Sequence, residues 1–242
     1  MKFRAVVPAA LAALIAFAAI DTALAVQSVD EIIAKNLSAK GGAEKLRAIE
    51  SVRTVGKIKT PAGVLPVTNW TKRPNMMRRE MVVEAGQKQI VAFDGKTLWG
   101  INPLMSPKPQ EITGPGAERT RQDADDFDSI LLDYKQKGYK VELVAAEGGA
   151  PRLRVTKKNG SVTDVHLNPE TFLEDRITME LEQGGKKAVV ATELSDYRPV
   201  DGMMVPFRIR QTFNGAPQAE VTYEQVQFNL PIGEELFRMP AK

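Results

Sequence analysis

Hydrophobic and polar positions change their period along the chain, and each change marks a different kind of element. From Ser28 to Glu50 the apolar residues Val29, Ile32, Ile33, Leu37, Leu46 and Ile49 recur at helical spacing, and Ser28 with Glu31 three residues on reads as a capping box. Gly41-Gly42 interrupts this stretch, so the pattern predicts a helix ending near Lys40 and a short second one from Ala43. From Val52 the period drops to two. Segments 51–60, 64–73, 76–84, 87–94 and 97–101 alternate, separated by Pro61-Ala62-Gly63, Glu84-Ala85-Gly86 and Asp94-Gly95, which predicts an antiparallel meander. Four prolines and two glycines between Asn102 and Gly116 predict an irregular loop. Helical spacing returns from Glu118 to Lys137 through Phe127, Ile130, Leu131 and Tyr134, which places Asp123, Asp125, Asp126 and Asp128 early in a helix, where negative charge complements the macrodipole. After Gly138, alternation predicts strands at 139–146, 151–158, 161–167, 171–182, 187–197, 204–213 and 217–228.

The strands are one-sided. Ile177, Met179 and Leu181 share a face opposite Thr178, Glu180 and Glu182, and Phe207, Ile209 and Phe213 oppose Arg208, Arg210 and Thr212. Many half-polar strands with three helices predict a mainly β, α+β fold: a large curved antiparallel sheet or barrel, its concave face covered by the helices as plug or lid. Such a sheet encloses room for an apolar ligand, and a helix hinged on the Pro/Gly loop is cheap to displace. The same periodicity also fits an ordinary sealed core.

The N-terminus adds an address. Lys2 and Arg4, an apolar run from Ala5 to Ile20 and then Ala23-Leu24-Ala25 form an export signal, with cleavage expected after Ala25. The run is shorter than the ~20 residues that span hydrocarbon. The expected mature chain, 26–242, is long enough for one domain without cross-links. It has no cysteine, hence no disulfide and no lipidation of its own at an N-terminal Cys. Without Lys2, Arg4 and Asp21, the 33 basic and 30 acidic residues become 31 and 29, interleaved, which is no nucleic-acid footprint.

Catalytic and cofactor chemistry finds little support. The single histidine, His166, lies in a predicted strand without a G-x-S-x-G elbow anywhere, so it reads as a structural residue rather than a general base or zinc ligand. The acidic run 123–128 lacks the glycine and glutamate of a calcium loop. No nucleotide-binding motif occurs. The expectation is a monomeric binding protein with no cofactor, no metal and no enzymatic activity.

Trp70-Thr-Lys-Arg-Pro-Asn75, then Asp94-Gly-Lys-Thr-Leu-Trp99 and Asn102-Pro103, closely resemble the W-x-K-R-P-N and D-G-K-x-L-W-x-x-N-P motifs of the LolA-like outer-membrane lipoprotein-sorting carriers. The resemblance implies an incomplete β-barrel closed by helices, working as a periplasmic carrier of lipid or acylated lipoprotein between an inner-membrane donor and an outer-membrane acceptor. It implies that Arg73 holds a helical lid shut through hydrogen bonds to its backbone, and that Met77 matters for passing cargo on. Met76, Trp70, Trp99, Phe127 and Leu131 complete the candidate lipid-binding and lid residues, the tryptophans as cavity wall or barrel anchor. The segment from Tyr197 to Phe237 carries no motif of the carriers. An envelope regulatory or assembly module that binds a protein partner with the same fold is the alternative.

Overall fold

The computed structural model describes residues 27–61, 63–125, 127–144, 150–183 and 186–240. The expected export signal lies outside them. Helices α1 (Val29–Ala39) and α2 (Ala43–Arg47) lead into β1 (Ser51–Thr60), β2 (Gly63–Lys72), β3 (Met76–Val82), β4 (Lys88–Phe93), β5 (Leu98–Asn102) and β6 (Ser106–Glu111). After α3 (Pro115–Asp125) come β7 (Lys140–Val144), β8 (Arg152–Thr156), β9 (Val162–Leu167), β10 (Glu174–Gln183), β11 (Lys186–Val200), β12 (Met203–Phe213) and β13 (Ala216–Phe228). The capping box at the start of α1 forms as the sequence predicts: Glu31 N donates to Ser28 Oγ, and Ser28 N donates to the Glu31 carboxylate.

Among the described residues, thirteen strands join one antiparallel sheet in the order β6-β5-β4-β3-β2-β1-β13-β12-β11-β10-β9-β8-β7. Every pairing joins sequence neighbours except that of β1 with β13, so the first and last strands knit the two halves together. The two free edges, β6 and β7, are consecutive strands. The sheet is an incomplete barrel, and the chain that crosses its open seam carries α3 and the turns after it. At the central pairing, the register shifts between Val55 and Gly56. A Cβ on Gly56 would collide with the Thr222 carbonyl oxygen, which is why a residue without a side chain stands at this bulge.

Register assigns every side chain to a face. Thr71, Met77, Phe93 and Leu98 lie opposite one another across β2 to β5. Leu65, Ile58, Val221, Ile209 and Leu194 form a row on that same face through the middle strands. Ile177, Val165 and Leu153 continue it at the far end. Helices cover this face at both ends. Ile32 and Ile33 of α1, with Leu131, seal onto Leu153, Val155, Val165 and Leu167, whereas α3 sets Ala117 and Ala124 against Phe93, Leu98 and Met77.

Two segments depart from the sequence pattern. The helix expected from Glu118 to Lys137 starts earlier and ends at Asp125; 127–138 is a run of turns in which Asp133 takes a φ of 54° and Gly138 one of 71°. Pro115 suits a first helical position. The acidic run therefore falls at the end of the helix and beyond it, where the macrodipole opposes negative charge and the helix stops. The Pro-rich stretch 102–116, expected to be irregular, contains β6. Pro107 and Pro109 are tolerated because β6 is an edge strand, whose outward N–H groups make no ladder bond.

Candidate functional site

Arg73 stands in the turn between β2 and β3, just past a strand whose partner β1 follows α2 directly. Its Nε donates to the Ile49 carbonyl at 2.6 Å and its Nη2 to the Arg47 carbonyl at 3.4 Å, so the guanidinium grips the backbone at the end of α2. Nη1 and Nη2 donate to the two carboxylate oxygens of Asp128 at 2.9 and 2.6 Å, while the Phe127 ring lies 4.7 Å below the cation. The hydrogen bond to Asp128 raises the Arg73 pKa above its ordinary value. A second arginine repeats the device: Arg47 Nε and Nη2 donate to Asp133 at 2.8 and 2.6 Å. Two bidentate pairs thus tie α2 and the turn after β2 to the 127–138 segment.

The two sequence motifs meet in space. Asn75 Oδ1 would lie 3.0 Å from a Cβ on Gly95, whose φ of 90° also demands glycine. Asp94 closes that turn by accepting from the Lys96 and Thr97 amides at 2.9 and 2.7 Å.

The candidate residues divide between the faces. Met77 lies on the helix-covered face against Phe93 and Leu98, and Leu131 is fully buried between α1 and the β8–β9 pair. Arg73 and Phe127 stand together at the edge of this cover. Trp70 and Met76 point the other way, since they share their face with Arg78, Ala92 and Trp99. Trp99, wholly buried, donates its Nε1–H to the Phe237 carbonyl at 2.7 Å. Arg78 donates to the Leu236 carbonyl and lies over the Trp99 ring, and Lys72 donates to the Ile232 carbonyl. Of the two roles open to Trp99, its surroundings are those of an anchor that pins the C-terminal segment to the outer face.

One polar row on the helix-covered face was not singled out in the sequence. Arg79, two residues from Met77 and exposed, donates its Nε–H to Asn69 Oδ1 at 2.8 Å, Asn69 Nδ2 donates to Thr54 at 3.0 Å, and Thr54 hydrogen-bonds Tyr223. Burial pushes the Tyr223 pKa above its usual value. The signal was present in Met77-Arg78-Arg79-Glu80-Met81, where Arg79 interrupts an apolar alternation.

An incomplete antiparallel barrel with helices over one face is the LolA-like fold, and the solved structures bear this out. The chain is similar to a LolA superfamily protein from Nitrosomonas europaea (TM-score 0.55, 14% identity, 88% of this chain and 98% of that one). It is also similar to a putative outer membrane lipoprotein-sorting protein domain from Vibrio parahaemolyticus (TM-score 0.54, 12% identity, 85% and 97%). A DUF1329 family protein from Desulfovibrio piger superposes with a TM-score of 0.59 at 14% identity over 87% and 97% of the two chains. Neither a family model nor a curated protein matches the sequence.

Proposed function

We infer that residues 26–242 form a single-domain periplasmic carrier that shelters the acyl chains of a lipid or lipoprotein on the helix-covered face. The observation that carries this reading is the distribution of cover: beside the polar Arg79–Asn69–Thr54 row, an apolar band crosses the sheet on this face, yet helices seal only its two ends, leaving Leu65, Val221, Ile209 and Leu194 half-buried between them. The fold shared with a lipoprotein-sorting domain supports it. In this reading Arg73 is the latch that holds α2 and the 127–138 segment in the closed form, Met77 and Leu131 are apolar lining at the two ends, and cargo passes from an inner-membrane donor to an outer-membrane acceptor.

Met76 and Met77 provide a paired test, because adjacent strand residues face opposite sides. A fluorescent fatty-acyl probe should bind the wild-type protein and Met76→Glu equally and bind Met77→Glu at least about tenfold more weakly, since a carboxylate in an apolar site loses several kcal/mol of solvation. Equal binding by both variants would remove the helix-covered face from the account.

A specific feature favours a second reading, an envelope module that docks a protein partner. The β5–β6 hairpin presents Leu104 and Met105 at 65% and 85% exposure. In that case, crosslinking from position 104 captures one stable partner and lipid extraction comes back empty.

A further inference from the structure

The outer face of the β8–β9–β10 corner carries a charge arrangement that neither the fold nor the acyl site requires. Register sets Arg152, His166 and Arg176 directly opposite one another on three adjacent strands. Neighbouring strands lie about 4.8 Å apart, so two guanidinium groups straddle one imidazole, and two like charges this close cost stability when left unanswered. Of the acids around the imidazole, Asp175 is exposed beside Arg176 and acts on His166, and three others are committed elsewhere. Asp164 is held by Arg154 at 2.8 and 2.9 Å, Glu180 by Lys187 at 3.3 Å, and Glu193, opposite Arg176, by Arg210 at 3.4 Å. Among the described residues neither Arg152 nor Arg176 makes an ion pair, and the buried Nε of Arg152 has no hydrogen-bond partner. Such a donor is a group waiting for an acceptor.

These side chains line a cleft of about 440 Å³ whose polar walls are Arg152, Arg154, Asp164, His166, Arg176, Thr178 and Glu180. Val162 and Val189, 37% and 39% exposed, stand at its side. Two carboxylates, Asp164 and Glu180, also line it, paired with Arg154 and Lys187, so the groups left for a ligand are the Arg152 and Arg176 forks, the His166 ring and the Thr178 hydroxyl, which suit an acceptor with several oxygens. A carboxylate satisfies one guanidinium; a phosphate group offers oxygens to two at once.

We propose that this outer-face cleft is a binding site for a phosphate group, carried either by a lipid head group or by a small phosphate ester, with Arg152 and Arg176 as its ligands and His166 between them. The proposal concerns the face opposite the acyl site and does not rest on the carrier reading. Burial, then Arg152 and Arg176, hold the His166 pKa below its usual value, while Asp164 and Asp175 push the other way. A bound phosphate would reverse the balance.

His166 is the only histidine, so its ring resonances report on the cleft without ambiguity. The intact protein is titrated with inorganic phosphate against chloride at matched ionic strength, and sedimented with phosphatidylglycerol–phosphatidylcholine vesicles or phosphatidylcholine vesicles. Phosphate should shift the His166 resonances saturably and raise the ring pKa by about one unit, and the Arg152→Gln/Arg176→Gln double variant should weaken binding at least about tenfold. Response to free phosphate without vesicle binding assigns a small ester. Sedimentation with the anionic vesicles alone, lost in the double variant, assigns a head group. If neither phosphate nor vesicles differ from chloride in the wild-type protein, or if the double variant binds as well while melting normally, the site does not exist.

Discussion

At the scale of single residues, Arg73 and Trp99 make the sharpest claims. Arg73 and Asp128 are only about a quarter exposed, and the guanidinium also donates to the Ile49 and Arg47 carbonyls. Charge-assisted bonds of this kind contribute about 1.5–3 kcal/mol each at most, so Arg73→Leu should lower the free energy of local opening by roughly 1–3 kcal/mol. Hydrogen exchange in 127–138 should then quicken by about ten- to a hundredfold while exchange in β8 and β9 stays unchanged. Uniform acceleration across the sheet would mean that Arg73 supports the whole fold instead. Trp99→Phe keeps an aromatic ring but loses the pyrrole part of a wholly buried indole and its hydrogen bond to the Phe237 carbonyl, so a melt should show a loss of about 2–4 kcal/mol. The motif residues were legible because they recur in a fixed order, and Arg79 was not, because its meaning depends on which face Met77 occupies. His166 likewise reads as an ordinary strand residue until register sets an arginine on each side of it.

Among the elements, the helices differ in how firmly they hold. Burying Ile32 and Ile33 gives α1 about 1.5–3 kcal/mol per side chain, and Asn36, Lys40 and Asp30 add bonds to the Phe172 carbonyl, Glu174 and Lys135. The α3 contribution to its apolar cluster is Ala117 and Ala124, at about 0.8 kcal/mol per methyl. Among the described residues α3 is therefore the weaker cover, and it is where the proposed carrier would open. Ala117→Leu should either jam the cover or lift it, and a change in acyl-probe binding without a change in α1 exchange would separate the two helices. Gly56→Ala tests the central bulge: the new methyl has to displace the β13 backbone, at a cost of about 1–3 kcal/mol read from chemical denaturation. Alternation made β1 to β5 and β7 to β13 readable to within a few residues. The helical spacing of Ile130, Leu131 and Tyr134 was real but misleading, since those side chains reach α1 from turns that bend at Asp133. Pro107 and Pro109 hid β6 because only topology reveals that it is an edge.

Over the whole molecule, the pairing of β1 with β13 decides the fold, and no local pattern announces a contact between the two ends of a chain. Charge sets the response to pH. Because burial and two arginines keep the folded His166 pKa below the unfolded value of 6.5, the unfolded chain takes up that proton first. Stability is thus independent of His166 above about pH 6.5 and falls as the pH drops through that value toward the folded pKa. The Asp164 and Asp133 carboxylates, held low by hydrogen bonds from Arg154 and Arg47, stabilise fully above their unfolded pKa of 3.8, and lose this as the pH falls through their lower folded values. Melting temperature should therefore decline in two windows, with the upper one missing in His166→Gln. A flat profile from pH 7 to 5 in the wild-type protein would contradict the placement of His166.

Purification from the cell envelope followed by native mass spectrometry and lipid extraction shows whether the helix-covered face holds acyl chains. The expected result is a protein-bound mass that extracts as an acylated species, and that falls away in Met77→Glu but survives in Met76→Glu. Protein that arrives free of any acylated ligand, with wild type and Met77→Glu indistinguishable, would contradict it.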